Sequence, residues 1–71
     1  MTNANLLVNC MLYEDISLEQ LADALSMSPN DLFDKLFGNV EFTPDEIRSI
    51  VVILGLTKEE TDAIFVKEVS K

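Results

Sequence analysis

Four short segments of this chain carry the signature of a helix start, and they constrain the fold more than any other feature. Each begins with serine or threonine, followed three positions later by glutamine, glutamate or aspartate, and two have proline at the first helical position. The hydroxyl accepts a hydrogen bond from a first-turn N–H, and glutamine or glutamate accepts one from the capping residue, which completes a capping box. The segments are SLEQ (17–20), SPND (28–31), TPDE (43–46) and TKEE (57–60).

Apolar residues after these starts repeat with the period of an α-helix. In the second and fourth helices they stand at i, i+3, i+4 and i+7, so that each helix has one apolar side. These residues are Leu18, Leu21, Ala22 and Leu25, then Ile47, Ile50, Val51 and Leu54. In the fifth helix we expect Ile64 and Phe65 to face the core, whereas the pattern leaves Ala63 and Val66 open.

The helix starts and the apolar period together predict five helices. A first helix is capped by Thr2 or Asn3 and runs to about Tyr13. The second and third form a helix-turn-helix at about 17–37, and the fourth and fifth lie within about 43–67. Because independent signals agree, the predicted fold class is all-α.

The ends of the helices are predicted from glycine and from the short segments between them. Gly38 suits a left-handed residue that would stop the third helix, and Gly55 ends the fourth. The segment NVEF (39–42) resembles a strand but is better explained as a loop. At 71 residues, the chain is expected to be a single domain (1–71) near the lower limit for a self-sufficient core.

Composition argues against an enzyme and against a metal centre. The chain has one cysteine, Cys10, and no histidine, so it offers neither an internal disulfide nor the usual zinc ligands. Cys10 is predicted to be a small buried apolar residue, because no neighbouring base can activate it as a nucleophile. We find no phosphate-binding loop or nucleophile–base pair, and we expect no catalysis, no metal and no cofactor.

The sequence gives no indication of a membrane protein. No segment approaches the ~20 apolar residues that a membrane helix needs. The first ten residues, MTNANLLVNC, lack the basic end of a signal peptide. Together with the free thiol, these observations predict a cytoplasmic protein.

Charge is distributed unevenly along the chain. The formal net charge is −8, from thirteen acidic and five basic residues. Residues 1–34 contain six carboxylates and no lysine or arginine, whereas residues 35–71 contain seven carboxylates and all five bases. Such a surface repels nucleic-acid phosphates and anionic membranes and attracts basic proteins. We therefore expect the partner to be a basic protein.

Two long segments, ISLEQLADALSMSPNDLFDKLFGN (16–39) and EFTPDEIRSIVVILGLTKEETDAIF (41–65), share caps, apolar positions and glycine with a known protein family. They resemble the lambda-repressor-like (Xre-type) regulators of phages. Residues 16–39 are similar to that family's helix-turn-helix, with Leu-Ala in the first of its helices and Leu-x-Gly at the end of the recognition helix. Residues 41–65 are similar to the family's fourth and fifth helices. The resemblance implies a five-helix domain that acts in transcription control.

The chain departs from that family where its surface would meet DNA. The second helix begins with Leu18 where the family often has glutamine, and the turn has Ser26 where the family usually has glycine. The first helix has no lysine. The recognition helix lacks the small polar and basic residues of the family and has instead Pro29, Asn30, Asp31, Phe33 and Asp34.

A helical projection separates the sides of this third helix. At 100° per residue, Asn30 and Asp34 point away from Leu32, which lies on the inward side. Phe33 and Phe37 fall between these two sides. The sequence therefore leaves open whether the two rings belong to the core or to the surface.

Our preferred hypothesis is that this helix binds a protein. An apolar anchor with a charged rim has the anatomy of an interface, and a basic partner would be attracted to it. A repressor's DNA-binding domain has that charge, and the chain would block it in the manner of a small temperate-phage antirepressor. The predicted contact residues are Pro29, Asn30, Asp31, Phe33, Asp34 and Phe37, with Glu19 and Asp23 of the second helix.

Two alternatives stay open at this point. The first is a sequence-specific DNA-binding repressor of the Xre type, expected to be dimeric. Its contact residues would be Gln20, Ser28, Asn30 and Lys35. The second is a domain whose only role is oligomerisation, through a weak homodimer contact of the fifth helix at Val66.

Overall fold

Five α-helices account for most of the chain in the computed structural model, which describes residues 2–38 and 40–65. They are α1 (Ala4–Tyr13), α2 (Leu18–Ala24), α3 (Pro29–Phe37), α4 (Pro44–Leu54) and α5 (Lys58–Ile64). No strand occurs among these residues, so the predicted all-α class is confirmed. None of the five helices has the length and apolar character needed to cross a lipid bilayer.

Each helix begins at a side chain that caps it, and the predicted starts are confirmed. Asn3 caps α1 by accepting a hydrogen bond from the Leu6 N–H at 3.2 Å. The capping boxes of α2, α4 and α5 are complete. In α2, Ser17 Oγ accepts from the Gln20 N–H at 3.1 Å, and Gln20 Oε1 accepts from the Ser17 N–H at 2.8 Å.

All five helices contribute to one hydrophobic core. The inward positions predicted for α2, α4 and α5 are confirmed, with Leu18, Leu25 and Val51 half-buried at its edge. The buried residues are Leu7, Met11, Leu21, Ala22, Leu32, Leu36, Phe42, Ile47, Ile50, Leu54, Ile64 and Phe65. Hydrophobic burial by short helices, rather than helix propensity, is what holds a domain of this size together.

One core residue, Phe42, comes from the segment between α3 and α4. Residues 40–42 have no regular secondary structure, as predicted for a loop, yet Phe42 is only 4% exposed. Its ring meets Phe65 edge-on, with centroids 5.6 Å apart and planes at 86°. This is a favourable geometry for two aromatic rings. The segment is therefore anchored to the end of α5.

Two residues other than glycine adopt left-handed backbone conformations in the turns around α2. Asp15 has a φ of 57° and precedes α2, and Ser26 has a φ of 59° and follows it. A side chain in this conformation costs roughly 1–2 kcal/mol, less for aspartate because its carboxylate can hydrogen-bond locally. Both turns next to α2 are therefore strained.

The left-handed conformation predicted for Gly38 is wrong. Its φ of −100° and ψ of −153° are those of extended backbone. Glycine is needed there for space, because a Cβ atom would lie 2.6 Å from the Asp34 carbonyl oxygen. Gly55 does end α4 with a left-handed φ of 63°, as the end of that helix requires.

Candidate protein-binding face

The outer side of α3 is fixed by its cap and by what its inner side buries. Ser28 Oγ accepts a hydrogen bond from the Asp31 N–H at 3.1 Å, and Pro29 stands in the first turn. Leu32 and Leu36 are buried in the core, and α3 packs against α2. These contacts leave the opposite side of α3 facing solvent.

Two phenylalanines form an exposed aromatic pair on α3. Phe33 and Phe37 are 51% and 54% exposed. Their ring centroids are 4.9 Å apart and their planes are tilted by 47°, which is within the range of favourable aromatic pairs. Both rings therefore belong to the surface, which decides the point that the sequence left open.

The carboxylates of α2 and α3 are also exposed. They are Glu19 and Asp23 on α2, with Asp31 and Asp34 on α3. Within residues 2–38 and 40–65, none of the four takes part in an ion pair. Their charge is therefore not neutralised by a neighbouring cation of the described chain.

The residues predicted to contact a protein partner are all exposed, and they lie on two helices that pack together. We call this set the acidic aromatic face. It consists of Glu19, Asp23, Pro29, Asn30, Asp31, Phe33, Asp34 and Phe37. Exposed aromatic rings and unneutralised carboxylates on the same pair of packed helices are a combination that suits a basic, partly apolar partner.

Residues predicted for the DNA-binding alternative are largely engaged within the fold. The side-chain oxygen of Gln20 accepts a hydrogen bond from the Ser17 N–H, and the hydroxyl of Ser28 caps α3. Lys35 contacts the start of α4. Asn30 is exposed in the first turn of α3. Three of the four side chains therefore already have a structural role.

Lys35 joins α3 to α4. Its Nζ donates to Glu46 Oε1 at 2.9 Å and to the Glu41 carbonyl oxygen at 3.3 Å. The same Nζ lies 5.8 Å from the centroid of the Phe42 ring, which is within reach of a cation–π contact. The Lys35 side chain is only 14% exposed. The ammonium is therefore directed into the molecule and not toward a phosphate in solvent.

Glu46 holds both Lys35 and the start of its own helix. Its Oε1 also accepts a hydrogen bond from the Thr43 N–H at 2.9 Å. Partial burial raises the pKa of Glu46, but the hydrogen bonds from Thr43 and Lys35 outweigh it, and the pKa is lowered below its usual value. Glu46 is therefore a carboxylate at neutral pH, and its ion pair with Lys35 is a structural contact.

The other two described cations are also paired with carboxylates. Arg48 Nη2 contacts Asp45 Oδ1 one turn away on α4. Lys58 Nζ lies 3.5 Å from Asp62 Oδ2 on α5. Both pairs are exposed and contribute little to stability. Every lysine and arginine within the two described ranges thus already has an acidic neighbour.

Cys10 is half-buried, which corrects the prediction that it is a buried apolar residue. Leu7 and Met11 occupy the side of α1 that faces the core, and Cys10 lies at the edge of that side. Burial raises the pKa of the Cys10 thiol, and the charges of Glu60 and Glu14 raise it further. The thiol is therefore protonated at neutral pH.

The predictions for α5 are confirmed in part. Ile64 and Phe65 are buried, as expected. Ala63, whose direction the sequence left open, is exposed. Val66, the residue of the predicted homodimer contact, lies outside the described residues.

Sequence reasoning did not find the partners of Lys35. Glu46 stands eleven positions further along the chain, and helical periodicity relates residues only within one helix. It did not find Phe42 either, since that residue is in a loop. A signal for Phe42 was available, because an aromatic residue just before a capping box has the position of a hydrophobic staple, which directs the chain into the helix; no such signal marks the contact of Lys35 with Glu46.

Comparison with protein-family models, curated proteins and solved structures gives no match for this chain. The function is therefore inferred from the acidic aromatic face and from the ion pairs of the described lysines and arginine. Both are properties of the chain's own geometry.

Proposed function

We propose that this chain is a lambda-repressor-like helix-turn-helix domain that acts in transcription control by contact with another protein. Its acidic aromatic face binds the basic DNA-contacting surface of a repressor and keeps that repressor from its operator. The observation that carries the proposal is the exposed Phe33–Phe37 pair on a helix with unneutralised carboxylates. The left-handed Ser26 between α2 and α3 supports the assignment, because the resembled family usually has glycine there.

The two rings supply the apolar part of the interface. Fully burying one phenylalanine side chain is worth roughly 1.5–3 kcal/mol. Because Phe33 and Phe37 are each about half exposed in the free chain, a partner would gain about 1 kcal/mol from each ring. Together they change affinity by roughly 30-fold. The rings alone are therefore too weak for a stable complex, and charge has to contribute.

The charge of the chain favours a basic partner. The net charge of −8 attracts a cationic surface from a distance and raises the rate of association. Carboxylates without an intramolecular cation need not break an ion pair to meet the partner, so the interaction has no such cost. Because these carboxylates are exposed, added salt screens them, and affinity is expected to fall as ionic strength rises.

The same charges disfavour binding to DNA. Lysine and arginine contacts to phosphates supply most of a protein's non-specific affinity for DNA. Of the described cations, Lys35 is directed inward to Glu46, and Arg48 and Lys58 each have a carboxylate beside them that competes with a phosphate. Contacts to bases depend on such anchoring to the backbone, so an exposed Asn30 is insufficient by itself.

The direct test is displacement of a repressor from its operator. The chain is titrated into complexes of lambda-repressor-like regulators with their fluorescent operator DNA, and any such regulator encoded beside the chain's own gene is tested first. The wild-type chain is expected to lower the fluorescence anisotropy as the repressor leaves the DNA. Phe33→Ala is expected to raise the concentration needed for release about fivefold, and Asp34→Lys, which reverses a charge, is expected to raise it further, while the circular dichroism of the helices is retained.

Matched controls carry the same kinds of change elsewhere. Val52→Ala removes a side chain that is 81% exposed on α4, and Glu59→Lys reverses an exposed charge on α5. Both are expected to release the repressor as the wild type does. If Phe33→Ala and Asp34→Lys also behave like the wild type, the face is misassigned. A rise in anisotropy when the chain is added to operator DNA alone would support the DNA-binding alternative instead.

A further inference from the structure

α1 carries a second apolar stripe beside the one that it buries. Leu7 and Met11 face the core. Leu6, Cys10 and Tyr13 stand at i, i+4 and i+7 and therefore share the neighbouring side of the helix. Leu6 is 39% exposed, Tyr13 is 88% exposed, and Cys10 is half-buried. Core packing accounts for Cys10, which lies at its edge, but it leaves Leu6 and Tyr13 exposed.

A groove follows the stripe between α1 and α5. Its volume is about 590 Å³. Ala63 and Ile64 of α5 form the opposite wall, and Leu54 and Leu56, at the end of α4, line it as well. The volume is within the range of protein sites that hold ligands, about 300–1,000 Å³. Because the groove runs between two helices and is largely apolar, it has the form that accepts the apolar side of a third helix.

The charged residues that line this groove have one sign. They are Glu14 at the end of α1 and Glu59 and Glu60 in the first turn of α5. No lysine or arginine is found among the described residues that line it. These negative charges act on the α1 side of the groove. Burial raises the pKa of the Cys10 thiol, and the charges of Glu60 and Glu14 raise it further.

We propose that this groove is a second docking site, separate from the acidic aromatic face, and that its occupant is a basic amphipathic helix of another protein. Leu6, Tyr13 and Ala63 receive the apolar side chains of that helix, and the glutamates receive its lysines and arginines. Charge decides against a second copy of this chain as the occupant, because each copy carries −8. The site does not depend on the function proposed for α3.

The test uses a synthetic peptide as the probe. It is built of leucine and lysine, has about 14 residues so that it can form a helix, and spaces its leucines at i, i+3, i+4 and i+7. It is titrated into the ¹⁵N-labelled full chain, and amide shifts are followed by NMR. We expect the changes to cluster on the groove-facing residues of α1 and α5. A peptide of the same composition with scrambled order is expected to bind at least about tenfold more weakly.

Two exposed residues of α1 provide a matched pair of variants. Tyr13 lines the groove, whereas Leu12, which is 72% exposed, does not. Tyr13→Ala is expected to weaken peptide binding about tenfold in calorimetry, and Leu12→Ala less than about twofold. Glu59→Gln is expected to weaken binding and to reduce its dependence on salt. Val52→Ala, on the exposed side of α4 and outside both proposed sites, is expected to bind the peptide as the wild type does.

Several outcomes would overturn the proposal. Shifts that cluster on α3 would assign the peptide to the acidic aromatic face. Equal binding of the scrambled peptide would mean that charge attraction alone explains the interaction. Equal effects of Tyr13→Ala and Leu12→Ala would mean that the peptide does not bind in the groove. A peptide-free chain whose mass doubles with concentration, and whose doubling Tyr13→Ala abolishes, would assign the groove to a second copy. Failure of repressor displacement leaves these readouts unchanged, so the two proposals are judged separately.

Discussion

Two pairs of phenylalanine rings occur in this molecule, one exposed on the surface and the other buried in the core. The rings of Phe33 and Phe37 are 4.9 Å apart on the surface of α3. The rings of Phe42 and Phe65 are 5.6 Å apart in the core, where they connect the segment after α3 to the end of α5. The buried pair joins two parts of the chain, whereas the exposed pair comes from consecutive turns of one helix and joins nothing. Its apolar surface is free for another molecule.

The carboxylates near these pairs differ in the same way. Glu46, close to the buried pair, accepts hydrogen bonds from Lys35 and from the Thr43 N–H. Asp31 and Asp34, on the same helix as the exposed pair, have no cation among residues 2–38 and 40–65. The comparison indicates that Lys35 helps to complete the fold, whereas the carboxylates of the acidic aromatic face are not neutralised by a cation of the described residues. Substitutions at the two regions should therefore separate stability from binding.

The largest effect is expected from the buried pair. Phe65→Ala removes a fully buried ring and should lower the free energy of unfolding by about 3–5 kcal/mol, a large part of the stability of so small a domain. Urea denaturation followed by circular dichroism measures the loss. Phe65→Leu, which keeps more of the volume, should lose less and remain folded. A loss below about 1 kcal/mol for Phe65→Ala would mean that the pair does not hold the segment.

A smaller, pH-dependent effect is expected at Glu46. Glu46→Gln keeps an oxygen for the cap but loses the charge that meets Lys35, which should cost about 1 kcal/mol at pH 7. The folded-state pKa is lowered, so this contribution is complete above the unfolded pKa of about 4.3 and is lost as the pH falls through the lowered value. Urea denaturation of the wild type and of Glu46→Gln from pH 7 to pH 3 should show the difference between their free energies of unfolding becoming smaller. A difference of unchanged size at the lowest pH would mean that it arises from packing and not from the ion pair.

The smallest effect on stability is expected at the exposed pair. Phe33→Ser removes a ring that is 51% exposed and whose aromatic partner, Phe37, lies on the same helix. The free energy of unfolding should fall by less than about 1 kcal/mol, because only about half of the ring is buried. The same variant should need roughly fivefold more protein to displace the repressor. A loss of stability comparable to that of Phe65→Ala would show that the exposed pair stabilises the fold as much as the buried pair does, and would contradict the comparison.

The features that could be predicted from the sequence are those that depend on near neighbours. The caps at Ser17, Ser28, Thr43 and Thr57 rest on a three-residue spacing, and the apolar sides of the helices rest on the helical period. For these, local geometry is sufficient, and the structure has them where the sequence indicated.

The features that the sequence left open depend on parts of the chain that are distant in sequence. The contact of Lys35 with Glu46 and that of Phe42 with Phe65 cross between elements. Exposure of Phe33 depends on what packs beside it, because its helical angle falls between the two sides of α3. The requirement for glycine at 38 comes from the Asp34 carbonyl oxygen and not from the sign of φ.

The two left-handed turns around α2 have a practical consequence for anyone who wishes to use this small domain as a scaffold. Asp15 and Ser26 stand where glycine would meet no penalty for a positive φ. Glycine relieves roughly 1–2 kcal/mol of strain at Ser26 and less at Asp15, but it adds about 0.5–1 kcal/mol of chain entropy to the unfolded state. Ser26→Gly is therefore the better first step toward a more heat-resistant variant, and it touches neither the rings of α3 nor the groove between α1 and α5.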